Sequence, residues 1–290
     1  MNTKYTCLLI SVFFLLMGCR KSMTSAPAGF SQNPTSYELV SEVWSGPVTN
    51  GQSYLFTYDD STHLLTSYKR IQWGQGGYNI TDSGNFPLPG FSDTSYFHLA
   101  YSDGRISRLY SSDGGAQGYA AFEYNSKGWL VKSTNYFLNG QPQDYVYLYS
   151  YNDKGQVTDM RETNTSILNF HYTFAYDNNG NLVKEVDSTL YTHPPLIYMT
   201  EYSDYDNKVS SIRALNGYGT TYAGDYNLGS GSSIPSNNVG SASYYTNTNG
   251  SPDFGPPSTV LYNYQYNDEG LPVQIQSGPW TIALQYKKYK

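Results

Sequence analysis

The sequence predicts an all-β fold, a meander of repeated antiparallel β-hairpins that forms a coiled or partly rolled sheet. A short phrase recurs along the chain, most clearly at residues 174–184, where alternating aromatic residues lead into an Asp/Asn-Gly turn and an aliphatic strand. The chain contains 32 Tyr among 290 residues and only 14% charged residues. Tyrosine favours strands that are half buried. No amphipathic helix of useful length is found after residue 18.

Each copy of the phrase alternates with period two, which places its aromatic side chains on one face of a strand. The opposite face is small or polar, as at Ser150 and Ala175. This pattern is typical of antiparallel strands with one wet face, and it predicts that the aromatic face points inward. The aromatic sets are Tyr54/Phe56/Tyr58, Phe97/Leu99/Tyr101, Ala120/Phe122/Tyr124, Tyr147/Tyr149/Tyr151, Tyr172/Phe174/Tyr176 and Tyr262/Tyr264/Tyr266.

A turn follows each aromatic strand. Asp and Asn stabilise such turns because their side-chain oxygens accept local hydrogen bonds, and glycine accepts a positive φ without steric cost. We therefore expect structural roles for the turn glycines Gly104, Gly128, Gly155, Gly180 and Gly270.

The chain divides into a signal peptide at 1–18, a flexible tether at 19–36 and a repeat β-sheet domain at 37–290. The first strand is predicted at 37–44, between the Ser/Pro-rich tether and a turn at residues 45–47. The second aromatics of the central copies, at 101, 124, 151, 176 and 205, leave room between them for two strands and their turns.

Two wider gaps between copies predict long loops. The first contains the Gly-rich and Pro-rich stretch at 74–90, and the second lies near 224–258, with a hairpin expected around residues 243–245. The last strand, 282–286, is expected to close or cover the final hairpin. The lysines that follow it would discourage edge-to-edge pairing.

The repeated phrase resembles the YD repeat of the RHS family, Tyr-x-Tyr-Asp-x-x-Gly-x-Leu. The resemblance covers roughly residues 54–213 and 260–275, although the Asp is often Asn or Ser and the spacing is irregular. It implies a scaffold of antiparallel sheets that wind or roll up, and it implies no catalytic residue.

The amino terminus reads as a targeting segment. Lys4 precedes an apolar run from Leu8 to Leu16, and residues 16–19, Leu-Met-Gly-Cys, resemble the lipobox of Gram-negative bacterial lipoproteins. The resemblance implies cleavage before Cys19 and acylation of Cys19 by membrane lipid. An ordinary secretory signal or a short transmembrane anchor is the alternative, but the run is shorter than the roughly 20 residues that a membrane span needs.

The residues after Cys19 indicate which membrane would hold the protein, and on which side. Arg20 and Lys21 occupy the sorting positions without an Asp, which by resemblance to the usual sorting rule favours the outer membrane. No acidic cluster follows, which points to the periplasmic side and leaves surface exposure open. Cys7 leaves with the signal peptide, so the mature chain has no disulfide of its own.

The net charge of −6 and a pI near 5.1 exclude a nucleic-acid partner. The four histidines, His63, His98, His171 and His193, lack the spacing of a zinc site, and the Asp/Asn turns need no calcium to explain them. We expect no metal and no cofactor. The Gly229–Gly231 stretch is not a nucleophile elbow. The acidic residues near the repeat strands, Glu123, Asp159, Glu162, Glu185 and Asp187, are interpreted as solvated outward positions.

Two tryptophans are candidate binding residues, because indole rings stack on sugars. They are Trp73, in a Gly-rich stretch, and Trp129, which follows a turn glycine; packing at the sheet rim is the alternative. The sequence therefore predicts a non-enzymatic envelope scaffold or binding module with a glycan or protein ligand. A carbohydrate-binding accessory lipoprotein is the second hypothesis, and a glycan-active enzyme is the third.

Overall fold

The computed structural model describes residues 37–46, 51–81, 84–111, 118–164, 167–190, 194–208, 210, 237–247 and 254–289. These residues form a closed barrel of sixteen antiparallel strands, each hydrogen-bonded to its neighbours in sequence. The predicted signal peptide and tether, at 1–36, lie outside the described residues. Within the described ranges, no helix has the length and apolarity needed to cross a membrane.

The strands follow one another around the barrel. They are β1 (Tyr37–Ser45), β2 (Gly51–Tyr58), β3 (Leu65–Thr81), β4 (Gly84–Ser102), β5 (Arg105–Ser111), β6 (Gly118–Tyr124), β7 (Leu130–Phe137), β8 (Pro142–Tyr151), β9 (Val157–Asn164), β10 (Ile167–Tyr176), β11 (Leu182–Thr189), β12 (Leu196–Ser203), β13 (Ser241–Asn247), β14 (Ser258–Tyr266), β15 (Pro272–Ser277) and β16 (Trp280–Lys288).

The antiparallel meander is confirmed, but the expectation of a coiled or partly rolled sheet is wrong because the sheet closes. β16 pairs with β1 from Tyr37 opposite Lys288 to Ser45 opposite Thr281. The last strand therefore has a partner on each side and is not an edge. Closure removes the two exposed edges that an open meander would leave.

The aromatic face points into the barrel, as predicted. On β2, Tyr54 is fully buried and Phe56 is 7% exposed, whereas Leu55 between them is 43% exposed. A large core cluster lines the strands from β16 through β1 to β5. Its buried members are Leu39, Tyr54, Phe56, Leu65, Tyr68, Phe97, Leu99, Ile106, Leu109, Ile282 and Leu284. A smaller cluster of Val157, Met160, Phe174 and Leu182 lines β9 to β11.

The outer face of the wall carries charged side chains that pair between strands or along one strand. Three ion pairs illustrate this, Lys132–Glu123 at 2.7 Å, Arg161–Asp159 at 3.0 Å and Lys184–Glu201 at 3.9 Å. All six side chains alternate with inward residues in the observed registers. The outer face is mixed, because Leu55, Leu148 and Leu261 are also exposed on it, at 43%, 42% and 62%.

The prediction of a long loop at 74–90 is wrong. β3 and β4 continue as a paired ribbon to Thr81 opposite Gly84. β2 reaches only Trp73 of β3, and β5 reaches only Phe97 of β4. The outer part of this hairpin is thus paired only with itself, with register shifts around Gly74 and Gly76. Glycine-rich sequence can remain in a ladder when bulges absorb the irregular spacing.

The second predicted loop, near 224–258, contains one complete strand. β13 lies between β12 and β14 and pairs with both, so it is a wall strand rather than half of a local hairpin. Residues 211–236 and 248–253 lie outside the described residues. The sequence around β13 lacks the turn phrase, so no local signal predicts the pairing of this strand with β12 and β14.

Candidate functional site

The turns stand at one rim of the barrel, here called the turn rim, defined by the hairpins that contain the five predicted turn glycines. All five have a positive φ: Gly104 73°, Gly128 84°, Gly155 78°, Gly180 86° and Gly270 77°. The side chains of Asn152 and Asp177 accept backbone N–H bonds from residues four positions later, at 3.0 and 2.8 Å. Local hydrogen bonds therefore fix each chain reversal.

The tyrosine that precedes the turn has a second role in six copies of the phrase, which the sequence analysis missed. Its hydroxyl donates a hydrogen bond to a backbone carbonyl of the preceding odd-numbered strand. The pairs are Tyr58 to Leu39 at 2.7 Å, Tyr101 to Leu65 at 2.6 Å, Tyr124 to Ile106 at 2.8 Å, Tyr151 to Leu130 at 2.7 Å, Tyr176 to Val157 at 2.8 Å and Tyr205 to Leu182 at 2.5 Å. The copy at Gly270 differs, because there Tyr266 donates to the Asp206 carboxylate and Tyr264 donates to the Val239 carbonyl. The available signal was the preference for Tyr over Phe at this one position.

These tyrosine bonds join strands that no turn joins at this rim. Each turn connects an even-numbered strand to the next odd-numbered one, whereas each tyrosine connects an even-numbered strand to the odd-numbered one before it. Burial raises the pKa of Tyr151, so its hydroxyl stays protonated and keeps donating. The repeated phrase therefore encodes both the hairpin and its attachment to the previous hairpin.

Three carboxylates lie on the inner face, so their interpretation as outward residues is wrong. Glu162 stands opposite Tyr147 and Phe170, Glu185 opposite Phe174, and Asp187 opposite Tyr172 and Tyr198. Glu123 and Asp159 do face outward. The physical reason is that register shifts near the turns, between Ser150/Tyr151 and Ala175/Tyr176, change which residues of the return strands face inward.

We call Glu162, Glu185, Asp187, Tyr198, Tyr202 and Tyr244 the luminal patch. Tyr198 and Tyr244 belong to the inner face by register, yet they are 41% and 40% exposed. The interior is therefore not filled at this part of the wall. The hydroxyl of Tyr202 donates to Glu185 Oε2 at 3.2 Å, and the hydroxyls of Tyr244 and Tyr262 lie 3.2 Å apart.

Two carboxylates of the luminal patch, Asp187 and Glu162, have raised pKa values. Burial raises the pKa of Asp187 to about 6, and the nearby charge of Glu162 adds to the effect. Burial also raises the pKa of Glu162, although hydrogen bonds from Tyr147 and Asn169 oppose the shift. Asp187 Oδ1 is buried without a hydrogen-bond partner. The described inward side chains of β8 to β14 include no Lys, Arg or His.

The two predicted binding tryptophans pack on the chain itself. Trp129 is 9% exposed, its ring centre lies 5.2 Å from that of Tyr151, and Lys127 Nζ lies 4.4 Å from the indole centre. Trp73 is partly buried on β3 and stands opposite Gly51. A Cβ added at Gly51 would lie 2.5 Å from the Trp73 ring, so this indole covers the backbone of β2.

A cleft of about 750 Å³ opens at the turn rim beside the luminal patch. It is lined by Asp177, Asn179, Asn181, Val183, Tyr202, Ser203, Asp204, Tyr205, Asp206, Asn207 and Asn237. The carboxylates of the cleft accept hydrogen bonds from the protein itself. Asp204 Oδ2 accepts from the Ser241 hydroxyl, and Asp206 Oδ1 accepts from the backbone amide of Lys208. Within the part of the chain that the structure describes, no group of three or more His, Cys, Asp or Glu could hold a metal ion.

The closed meander of antiparallel strands defines the class of protein, a β-barrel. No protein-family model matches the chain, and neither does any curated protein. A porin-like protein from Bacteroides uniformis shares its fold, with a TM-score of 0.57 and 14% identity over 90% of this chain and 100% of that chain.

Two further solved structures are more distant. A porin-like protein from Bacteroides vulgatus has a TM-score of 0.37 and 11% identity over 87% of this chain and 99% of that chain. A TcdB2–TccC3–Cdc42 structure has a TM-score of 0.36 and 9% identity over 82% of this chain and 10% of that chain. TM-scores this low do not establish a shared fold.

Proposed function

We propose that this chain is a lipid-anchored protein of the cell envelope whose barrel serves as a non-enzymatic scaffold or binding module. The observation that carries the proposal is the closed barrel itself, whose interior is packed on one side and open at the luminal patch. A porin-like fold fits an envelope location. The lipobox at residues 16–19 supplies the means of attachment.

The outer wall supports attachment by lipid rather than by the strands. Barrels that cross a membrane present an apolar band about 25 Å tall to the lipid, and Lys or Arg at its midplane costs about 2–4 kcal/mol. Here the outer face carries the ion pairs Lys132–Glu123 and Arg161–Asp159, together with exposed apolar side chains such as Leu55, Leu148 and Leu261. In this proposal the charged side chains keep the wall in water, and acylated Cys19 holds the barrel at the outer membrane, on its periplasmic side.

The strand registers suggest how the barrel is presented. Tyr37, the start of β1, lies opposite Lys288 at the turn rim, where His63 also stacks on Tyr289. Residues 19–36 can span at most about 60 Å when fully extended. The turn rim would therefore face the anchoring membrane, and the β3–β4 ribbon would point away from it. In a surface-exposed protein the same geometry would apply on the other side.

Two finer assignments belong to this proposal. We infer that the hairpins are YD-type repeats, because the Tyr-Asp/Asn-x-x-Gly phrase has a physical role at each position. A carbohydrate-binding accessory role is the second candidate, favoured by the exposed rings of Tyr198 and Tyr244 beside carboxylates. A glycan-active enzyme ranks third, since a paired acid and nucleophile would be required.

Replacement of Cys19 tests the anchor. Wild-type protein should fractionate with membranes, enter the detergent phase and incorporate labelled palmitate. Cys19→Ala should lose the label and either enter the aqueous phase or accumulate unprocessed. Cys7→Ala is the matched control. Cys7 lies in the predicted signal peptide, so its replacement should leave acylation of Cys19 unchanged. Labelling and membrane retention of Cys19→Ala would overturn the anchored-protein proposal.

A further inference from the structure

The cleft at the turn rim contains a buried hydrogen-bond acceptor without a donor in the described part of the chain. Asn181 lines the cleft and is only 3% exposed, and its Oδ1 atom has no hydrogen-bond partner there. The cleft measures about 750 Å³, within the range of small-ligand pockets. We propose that it binds a short neutral oligosaccharide. The inference rests on the proposed binding function and gives that function a site and a ligand class.

Asp177 holds the Asn181 side chain in place. Asn181 Nδ2 donates to Asp177 Oδ2 at 3.1 Å, and the backbone amide of Asn181 donates to Asp177 Oδ1 at 2.8 Å. Exchange of the amide nitrogen and oxygen would set Asn181 Oδ1 against the carboxylate, so these bonds fix the orientation of the amide. A buried acceptor without a donor is unfavourable, and a ligand hydroxyl that donates to Asn181 Oδ1 would remove this cost.

The other polar groups of the cleft favour hydroxyl groups over ions. The carboxylates of Asp177, Asp204 and Asp206 would repel an anion. They are also poor partners for a cation, because Asp204 Oδ2 already accepts from Ser241, and both oxygens of Asp206 accept from Asn238. No group of three or more His, Cys, Asp or Glu in the described ranges could hold a metal ion. Sugar hydroxyls, which both donate and accept, match a wall of carboxylates and carboxamides.

An exposed carboxamide and two aromatic rings supply the other contacts that a sugar needs. Asn207 lines the cleft at an exposed position, and its amide can donate and accept. Tyr202 and Tyr205 also line the cleft and are half buried. Their hydroxyls already donate, to Glu185 and to the Leu182 carbonyl, so their rings offer apolar surface to the C–H face of a sugar.

The test measures binding of maltotriose, cellotriose and chitotriose to the full mature lipoprotein in detergent by calorimetry. We expect saturable binding of at least one of them. Asn181→Leu should weaken that binding by about tenfold or more, because the buried acceptor is lost. The variant should fold, since Leu271 takes the same position after Gly270 and is buried there. The thermal midpoint of each variant shows whether it is folded.

Two further variants complete the test. Asn207→Ala, at an exposed position of the cleft, should weaken binding by about threefold without unfolding the barrel. Trp129→Leu is the matched control, because Trp129 follows Gly128 as Asn181 follows Gly180 but does not line the cleft. Its affinity should equal that of the wild type.

Four results would overturn the inference. They are binding of none of the three trisaccharides, unchanged affinity of Asn181→Leu, equal weakening by Trp129→Leu, and tighter binding of spermidine or trigalacturonate than of any neutral trisaccharide. Failure here is separate from failure of the proposed function. A protein that carries its lipid on Cys19 but binds no trisaccharide remains an anchored scaffold, whereas one that binds a trisaccharide without carrying lipid would keep the sugar site and lose the anchor.

Discussion

At the scale of single residues, the repeated tyrosine shows how a small chemical difference organises the molecule. Phe and Tyr fill the inner face almost equally well, and both occur there. Only Tyr can bridge to the backbone of the preceding hairpin, and it does so at Tyr101, Tyr124, Tyr151 and Tyr176. The tyrosine hydroxyl hydrogen-bonds to a carbonyl that water would otherwise bind, and it thereby links one hairpin to the preceding strand.

Removal of that hydroxyl should destabilise the barrel. Tyr151→Phe deletes the bond to the Leu130 carbonyl, and Tyr176→Phe deletes the bond to the Val157 carbonyl. Each should lower the free energy of unfolding by about 1–2 kcal/mol, since a buried acceptor is left unpaired. Denaturant midpoints provide the measurement. Tyr119 lies on the outer face, and Tyr119→Phe should change the free energy of unfolding by less than about 0.5 kcal/mol. A loss equal to that of Tyr151→Phe would contradict a stabilising role for the tyrosine–carbonyl bonds.

At the scale of elements, the hairpin turns depend on backbone geometry more than on contacts. Asp103 and Gly104 form the two-residue connection between β4 and β5, with φ values of 51° and 73°. Positive φ at both central residues is the geometry of a type I′ turn, whose twist matches that of paired strands. A Cβ added at Gly104 would meet nothing within 4 Å, so this position isolates the backbone effect.

Gly104→Ala should therefore cost about 1 kcal/mol of unfolding free energy, because a non-glycine residue must enter the left-handed region. Gly104→Asn should recover part of the loss, since Asn tolerates that region. Gly255 is the control, as it has open space around its Cβ position and no positive φ. Chemical denaturation of the three variants decides the matter, and a cost at Gly255→Ala equal to that at Gly104→Ala would refute the turn assignment.

At the scale of the whole molecule, closure determines what the barrel can do. An open meander would expose two strand edges and much of its aromatic face, which proteins avoid. The contact between β1 and β16 removes both edges and encloses the luminal patch. Closure also brings the start and end of the described chain together at the turn rim.

A designed disulfide tests closure directly. Val43 and Ala283 are register partners on the outer face of β1 and β16. Directly opposed residues of antiparallel strands have Cα atoms about 4.5–5.5 Å apart, within the range that a disulfide accepts. Val43→Cys/Ala283→Cys should oxidise within one chain, which mass spectrometry of the linked peptides would show. Val43→Cys/Ala175→Cys is the control and should stay reduced; a missing bond in the first pair would favour an open sheet.

Sequence alone determined the elements whose causes are local. Period-two alternation placed the aromatic strands and their inward face, Asp/Asn and Gly placed the turns, and the boundary between the tether and the turn at 45–47 placed the first strand. Each of these signals acts within about ten residues, as the turn at Gly180 illustrates, where Asp177 accepts from the amide of Asn181.

Tertiary structure decided the features that depend on distant partners. Pairing of β1 with β16 joins residues that are far apart in the sequence, and pairing of β13 with β12 and β14 places Ser241–Asn247 of a predicted loop in the barrel wall. The bulges beside the turns placed Glu162, Glu185 and Asp187 inside, because one extra residue reverses the facing of every position that follows it. The candidate site thus arises from a bulge that recurs just before the turn, which period-two alternation alone does not show.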